Sequence, residues 1–422
     1  MTMSSIKKRH RWMAAIAGAC LVPALAACSS GSAGTNNSSG GTLRFLGHTG
    51  LQASMDPVIK SFKEAHPDID VQVQYSPAGP TYGQTLITQI QGGNAPDVFY
   101  GNGGTGATES LIPLAKSGKL LDLSDQSWAS SIPAEAADMY KVDGKVYGMV
   151  MDAAPHGILF KPANLTALGV KAPETFSDVL NICKTARAQD KYGIALAGQS
   201  AGFAAEIVAA SLVYSKTPDW NAQRTANKVT FAGTPEWQET LKRFQQMRDA
   251  QCFQPGAESA STPQSFQPMT AGQTLMTIVP SGALGSVANG SPKDWAMVPF
   301  PGDTKDQTRA PIGYQDGLAV SAKTKNKAAA LEFVKFVAGQ GAATRAELSG
   351  TVTLADAKNA KLPQSLKGFE PYITKGQTIP RSHDTWAGGG ALNTLSTAVI
   401  SSMNGQASIP DALKTVDAAW GK

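Results

Sequence analysis

Apolar positions along the chain switch between two rhythms. "TLRFLG" (Thr42–Gly47) alternates with a period of two and predicts a strand. "MDPVIKSFKEAHP" then sets Val58, Ile59, Phe62 and Ala65 at helical spacing, and Pro67 closes the segment. "DIDVQVQY" returns to strict alternation. "YGQTLITQIQGG" predicts a second helix stopped by Gly92 and Gly93, and "PDVFYGN" a third strand opened by Pro96. This β-α-β-α-β order predicts a mostly parallel sheet covered by helices, hence an α/β fold class.

The same alternation of elements runs on. "GKVYGMVMDAAPHGILFKP" reads as two strands about a bend. "TFSDVLNICKTARAQ" is an amphipathic helix with Thr175 or Ser177 as its N-cap. "YGIALAG" is a strand, "FAAEIVAASLVY" a helix, "PEWQETLKRFQQMRDAQ" a long amphipathic helix, and "QTLMTIVP" a buried strand. "GLAVSA" is followed by "NKAAALEFVKFVAG", whose Ala329, Phe333, Phe336 and Val337 share one face. Two further helices, in "GGGALNTLSTAVISSMNG" and "IPDALKTVDAAW", end the chain. No internal repeat is present.

The N-terminal end follows neither rhythm. Lys7, Lys8, Arg9 and Arg11 precede an uncharged apolar run, Met13 to Ala27, in the layout of a secretory signal peptide. The run is shorter than the roughly 20 residues of a membrane span, and Pro23 interrupts it. "LAAC" (Leu25–Cys28) resembles the bacterial lipobox, in which cleavage precedes a cysteine that carries diacylglycerol. The expectation is therefore a signal peptide over 1–27, lipid attached at Cys28, and a flexible Gly/Ser/Asn tether over 28–41. An ordinary cleavage site with a chance cysteine is the alternative.

Removing the leader changes the charge picture. The chain has 37 Lys and Arg against 32 Asp and Glu, but four of the cations lie in the leader, which has no acids. The remaining 33 against 32 leave no basic stripe, which excludes nucleic acid as a partner. About 395 residues remain, too many for one typical core, so two lobes are expected. With Cys20 in the leader and Cys28 assigned to lipid, Cys183 and Cys252 are left. In an exported chain they read as a structural disulfide, with two buried thiols as the alternative.

Several segments, in this order, resemble the family 1 extracellular solute-binding proteins of ABC importers, the maltose-binding-protein-like group. They are "FKEAHPDIDVQVQY", "LITQIQGGNAPDVFYGN", "YKVDGKVYGMVMDAAPHGILFKPANLTALGVKAPETFSDVL", "MTAGQTLMTIVPSGALG" and "GLAVSAKTKNKAAALEFVKFV". The usual Tyr-Asn-Lys is Phe160-Lys161-Pro162 here. The resemblance implies a two-lobed periplasmic-binding-protein fold of type II. Residues 42–151 plus 313–347 would form the N-terminal lobe, and 152–312 plus 348–422 the C-terminal lobe. Hinges are expected near Met151–Pro155, Ala310–Tyr314 and Leu348–Leu354. It further implies a monomer without cofactor that captures a mono- or oligosaccharide and delivers it to permease subunits in the membrane, touching the membrane itself only through its anchor. α/β folds bind ligands at strand ends, and closure of two lobes is a hinge motion.

Other chemistries compete. "GQSAG" (Gly198–Gly202) matches the nucleophile elbow G-x-S-x-G between a strand and a helix. Ser200 with Asp316 and His383 would then form a secreted hydrolase, although no "HGGG" precedes it. "GNGGTG" (Gly101–Gly106) matches a dinucleotide fingerprint but follows the third strand. It reads as a loop, or as a nest of amides able to hold an anion, which keeps a phosphorylated or glycerol-type solute as the alternative ligand. His48, His66, His156 and His383 are scattered, so no metal is expected.

The resemblance places the solute among particular residues. "IPRSHDTWAGG" resembles the family segment in which a tryptophan stacks on sugar, which maps to Trp386. "GYQDG" offers Tyr314 for stacking and Gln315 and Asp316 for hydroxyls. Asp152 and His156 lie at the first hinge. His48, Thr49 and Asn102 lie at strand ends, and Gln199 and Ser200 at a helix start. Where maltose-binding relatives often carry Trp after the "M-x-I" strand, this chain has Ser281 and Gly282. Where they carry Asp after the third strand, it has Gly103. One stacking platform and one carboxylate are missing, which argues against maltodextrins and for a ligand read more by backbone.

Overall fold

The computed structural model describes residues 41–78, 80–287, 292–387 and 390–421. The leader, Cys28 and the tether as far as residue 40 lie outside the described residues. Strands in chain order are β1 (Gly41–His48), β2 (Ile69–Ser76), β3 (Val98–Asn102), β4 (Lys141–Val142), β5 (Lys145–Val146), β6 (Met149–Val150) and β7 (Ala154–Phe160). They continue as β8 (Tyr192–Ala195), β9 (Thr274–Pro280), β10 (Ala296–Val298), β11 (Ala310–Gly313), β12 (Asp316–Val320) and β13 (Thr378–Pro380).

Two sheets result. The first has the order β2-β1-β3-β12-β6. Its first three strands are parallel, as the β-α-β-α-β pattern requires. β12 runs antiparallel to β3 and β6, because the chain re-enters this sheet from its opposite end. The second sheet has the order β13-β11-β7-β9-β8, with β10 also paired to β7. β4 and β5 form a separate hairpin.

The helices bury the faces the sequence marks. Helix Gln52–Ala65 begins earlier than the periodicity suggests and turns Met55, Val58, Ile59 and Phe62 inward. Phe62 meets the edge of Phe333 from helix Lys327–Ala338 at 5.0 Å between ring centres. Helix Phe176–Arg187 is capped by Thr175 rather than Ser177. The Thr175 side chain accepts from the Asp178 amide, and the Asp178 carboxylate accepts from the Thr175 amide. Cys183 on this helix is joined to Cys252 as a disulfide across 69 residues. Gly193 of β8 lies beneath it, where a Cβ would come within 2.4 Å of the Cys183 sulfur.

The chain passes between the sheets three times. β6 ends at Val150 and β7 begins at Ala154, so 151–153 form the first crossing. The second is Tyr314–Gln315, later than the sequence suggests, because Ala310–Gly313 are already strand β11. The third lies between helix Ala342–Ser349 and helix Leu354–Lys358. Ala153 bridges to Val352, which ties the first and third crossings together.

Candidate functional site

Parallel strands deliver their C-terminal ends to one edge of a sheet. β1 ends in His48, β3 ends in Asn102, and β12 starts at Asp316 directly opposite Asn102. Tyr100, two residues back on β3, turns its hydroxyl into this edge. It lies 2.6 Å from Asn102 Oδ1 and 2.8 Å from Asp316 Oδ1. One phenolic proton faces two acceptors, so one of these bonds needs a proton from the other partner. Burial and the charge of Asp152 raise the Asp316 carboxyl to about 6, so Asp316 is the group poised to supply it. Asn102 Nδ2 in turn donates to Glu109 Oε1 at 2.9 Å.

His48 accepts from the Gly50 amide through Nδ1 at 3.1 Å and stands edge-on to Tyr100 at 4.6 Å. Burial lowers it to about 4, so it is a neutral imidazole at physiological pH. Thr49 is exposed in the turn that follows.

The glycines after β3 are packing devices. A Cβ at Gly101 would come within 2.3 Å of Leu111, and one at Gly103 within 2.8 Å of the Tyr140 ring. Gly104 has φ of +83°, and a Cβ there would fall 2.5 Å from the carbonyl oxygen of Asp384. The Gly103 amide donates to Gln315 O and the Gly104 amide to Met139 O. Two amides of the anticipated anion nest are therefore spent within the protein. Tyr140 completes the corner by donating to Tyr314 O at 2.6 Å.

From the other side come β7 and the segment after β13. His156 on β7 pairs with Pro280, is 1% exposed, and leaves Nε2 without a partner. Burial, with Arg381 and His383 nearby, holds it well below the usual imidazole range, so it is neutral. Gln315 Oε1 is likewise buried without a partner. Both atoms crowd Gly313, where a Cβ would lie 2.7 Å from Gln315 Oε1 and 2.9 Å from His156 Nε2. Arg381 donates from Nε to Asp384 Oδ1 at 2.7 Å, while Asp384 Oδ2 is buried without a partner. Asn221 holds this segment by donating to Ser382 O and Thr385 Oγ1.

The remaining residues singled out from the sequence are scattered around this junction. Tyr314 is buried, with its hydroxyl on Glu135 at 3.1 Å. Ser281 is buried with an unpartnered hydroxyl, and Gly282 beside it is exposed. Gln199 is exposed and donates to Ser259 O.

Two expectations need correction. Asp152 is 2% exposed, and its Oδ2 is taken by Arg345 Nη1 at 2.5 Å and Thr351 Oγ1 at 2.7 Å. It fastens the first crossing to the third. Trp386 is 0% exposed and sits among Phe231, Trp237 and Trp420, with ring centres 5.3 to 6.0 Å away. Its indole is part of a buried aromatic cluster and offers no open face for stacking.

The hydrolase constellation is not assembled. Ser200 Oγ pairs with Thr262 Oγ1 at 2.9 Å, His383 Nδ1 pairs with Glu206, and Asp316 pairs with Tyr100. Tyr100, Tyr140, Arg381 and Asp384 were not singled out from the sequence. The available signal was the charged pair Arg381 and Asp384 within "IPRSHDTW".

The model of the bacterial extracellular solute-binding protein family matches residues 47–344. The chain belongs to this family. Its members bind solutes and do not transform them, so the protein is a binding protein and not an enzyme, and it acts outside the cytoplasm. Among the described residues no helix is long and apolar enough to cross a membrane. The multiple sugar-binding protein of Streptococcus mutans is 24% identical over 334 residues, 74% of each chain. The diacetylchitobiose-binding protein DasA of Streptomyces coelicolor is 27% identical over 362 residues, 80% of this chain and 79% of DasA. Among solved structures, RafE in complex with raffinose superposes with a TM-score of 0.73 at 20% identity, over 90% of this chain and 98% of RafE. The GacH receptor of Streptomyces glaucescens gives 0.72 at 18% identity, over 90% and 97%. These likenesses establish the two-lobed type II solute-binding fold.

Proposed function

We propose that the protein captures a carbohydrate between its lobes and delivers it to the permease of an ABC importer, from an anchor at Cys28. The observation that carries the capture is the set of unpartnered buried atoms where the sheets meet: His156 Nε2, Gln315 Oε1 and Asp384 Oδ2. Each such group costs about 1–3 kcal/mol while unmatched. Sugar hydroxyls donate and accept, so one polyol can match an imidazole, an amide oxygen and a carboxylate together. Asn102, Asp316 and His48 extend the same polar wall from the first lobe. The names of the relatives, which bind multiple sugars and diacetylchitobiose, support the same class.

The phosphorylated alternative is weaker on chemical grounds. Glu109 and Asp384 would repel a phosphate, and the Gly103 and Gly104 amides already have acceptors. A thermal-shift panel of neutral oligosaccharides and sugar phosphates tests this. A neutral sugar at about 100 times its Kd should add about 2.7 kcal/mol of stability. Shifts with phosphates alone would reverse the assignment. A diacylglycerol-modified peptide beginning at Cys28, seen by mass spectrometry, is expected of the anchor; an unmodified one would remove it.

A further inference from the structure

At the end of the first sheet opposite the cleft lies a cavity of about 270 Å³. Arg44, Lys119, Lys323 and Lys325 line it, with Asp97 as the one carboxylate. Asp97 is turned inward and satisfied, accepting from the Arg44 amide and from Thr324 Oγ1. The Arg44 guanidinium donates only to neutral groups, Asn94 Oδ1 and the carbonyls of Asn94 and Ala95, so its charge is not cancelled. Lys119, Lys323 and Lys325 are exposed and enter no ion pair among the described residues. Four cations thus surround one carboxylate, in a chain whose body is otherwise near neutral.

The chain enters the folded body on the rim of this cavity. Asn326, which lines it, donates from Nδ2 to Thr42 O at 2.8 Å. Gly41 is thirteen residues from Cys28, and a Gly/Ser-rich linker of that length spans about 20 Å on average. His48, at the cleft end of β1, is seven residues further on, about 20 Å away along the strand.

We propose that, contrary to the expectation of contact through the anchor alone, this basic cavity is a docking face for anionic lipid headgroups, holding the receptor against the membrane with its cleft turned away. The proposal rests on the reading that Cys28 is acylated, because the anchor keeps the cavity near the surface. Each basic side chain brought within a Debye length of an anionic leaflet adds to the attraction, and the cavity gives a headgroup phosphate a place to seat. In this pose the open cleft samples the medium. Engaging the permease then requires the body to lift and swing on its tether.

The test uses the mature protein, as processed by its own cell, on vesicles of phosphatidylcholine, with or without about 30% phosphatidylglycerol. A water-soluble amine-acetylating reagent reports lysine exposure, read by mass spectrometry. Labelling of Lys119, Lys323 and Lys325 should fall about fivefold or more with phosphatidylglycerol. Lys216, Lys242 and Lys414 should be unchanged, and about 0.5 M salt should restore the labelling. Equal labelling on both vesicles would overturn the proposal. So would equal protection by glycerol phosphate on pure phosphatidylcholine, which would make this a site for free anions. Recovery on phosphatidylcholine reports the anchor separately. Protein recovered only on anionic vesicles, with the three lysines protected, supports the face and removes the anchor. Protein recovered on neither removes both.

Discussion

Two buried ion pairs, Asp152–Arg345 and Arg381–Asp384, have opposite fates. Asp152–Arg345 joins two of the chain crossings. Its carboxylate also takes Thr351, and its guanidinium also donates to Met151 O. Arg381–Asp384 sits against the loop after β3, where the Asp384 carbonyl meets Gly104. It has the same chemistry, yet one carboxylate oxygen is left unmatched, beside two more unmatched acceptor or donor atoms. The first pair spends its carboxylate on the fold, and what it leaves unmatched is a donor, Arg345 Nε. The second keeps an acceptor in reserve, and a reserve of buried polar capacity is what a solute can use.

The largest effect should come from breaking the first pair. Arg345→Met leaves Asp152 buried without its cation, and urea unfolding should show a loss of about 3–5 kcal/mol. Adding Asp152→Leu should recover much of it, since paired apolar replacements are often neutral. A loss below about 1 kcal/mol would put the pair on a level with exposed ones and erase the contrast. At the second pair, Asp384→Asn should instead weaken binding of the best sugar by about 10–100-fold in calorimetry, the value of a hydrogen bond to a charged group. Unchanged affinity would mean the spare oxygen is not used.

Gln315→Met is a finer probe. It deletes an unmatched acceptor, so the empty protein should melt no lower than the parent while affinity falls about 3–10-fold. A lower melting temperature with intact affinity would show that the side chain serves the fold. The smallest effect is in pH. Asp316 has a carboxyl raised from 3.8 to about 6, so the folded chain holds a proton that the unfolded chain has released across that window. Stability should therefore fall as pH rises from about 4 to 6, then level off. Asp316→Asn should remove that slope, and an unchanged slope would assign it elsewhere.

The α/β elements were readable in the sequence because their periodicities are local. The alternation in 68–75 and the helical spacing in 327–338 both reappear in the structure. The N-cap could be narrowed to Thr175 or Ser177 but not assigned, since the two are equivalent until the backbone turns. The site was less legible. A tryptophan that stacks on sugar and one that packs in a core carry the same apolar face, so Trp386 could not be sorted without its neighbours. Asp152 failed for a similar reason: its partners Arg345 and Thr351 are nearly two hundred residues away. Tyr100 and Asp384 matter through what surrounds them, which periodicity does not encode.

Gly104 offers a handle of another kind. Its backbone abuts that of Asp384 with no space for even a methyl group. An alanine there, besides straining a backbone at φ of +83°, would act as a doorstop that wedges the jaws slightly ajar. Affinity would then be set by how often the jaws can shut, because only that fraction of molecules is competent to hold a solute. A dial of this kind would let one receptor be retuned to richer or poorer surroundings without altering which solute it recognises.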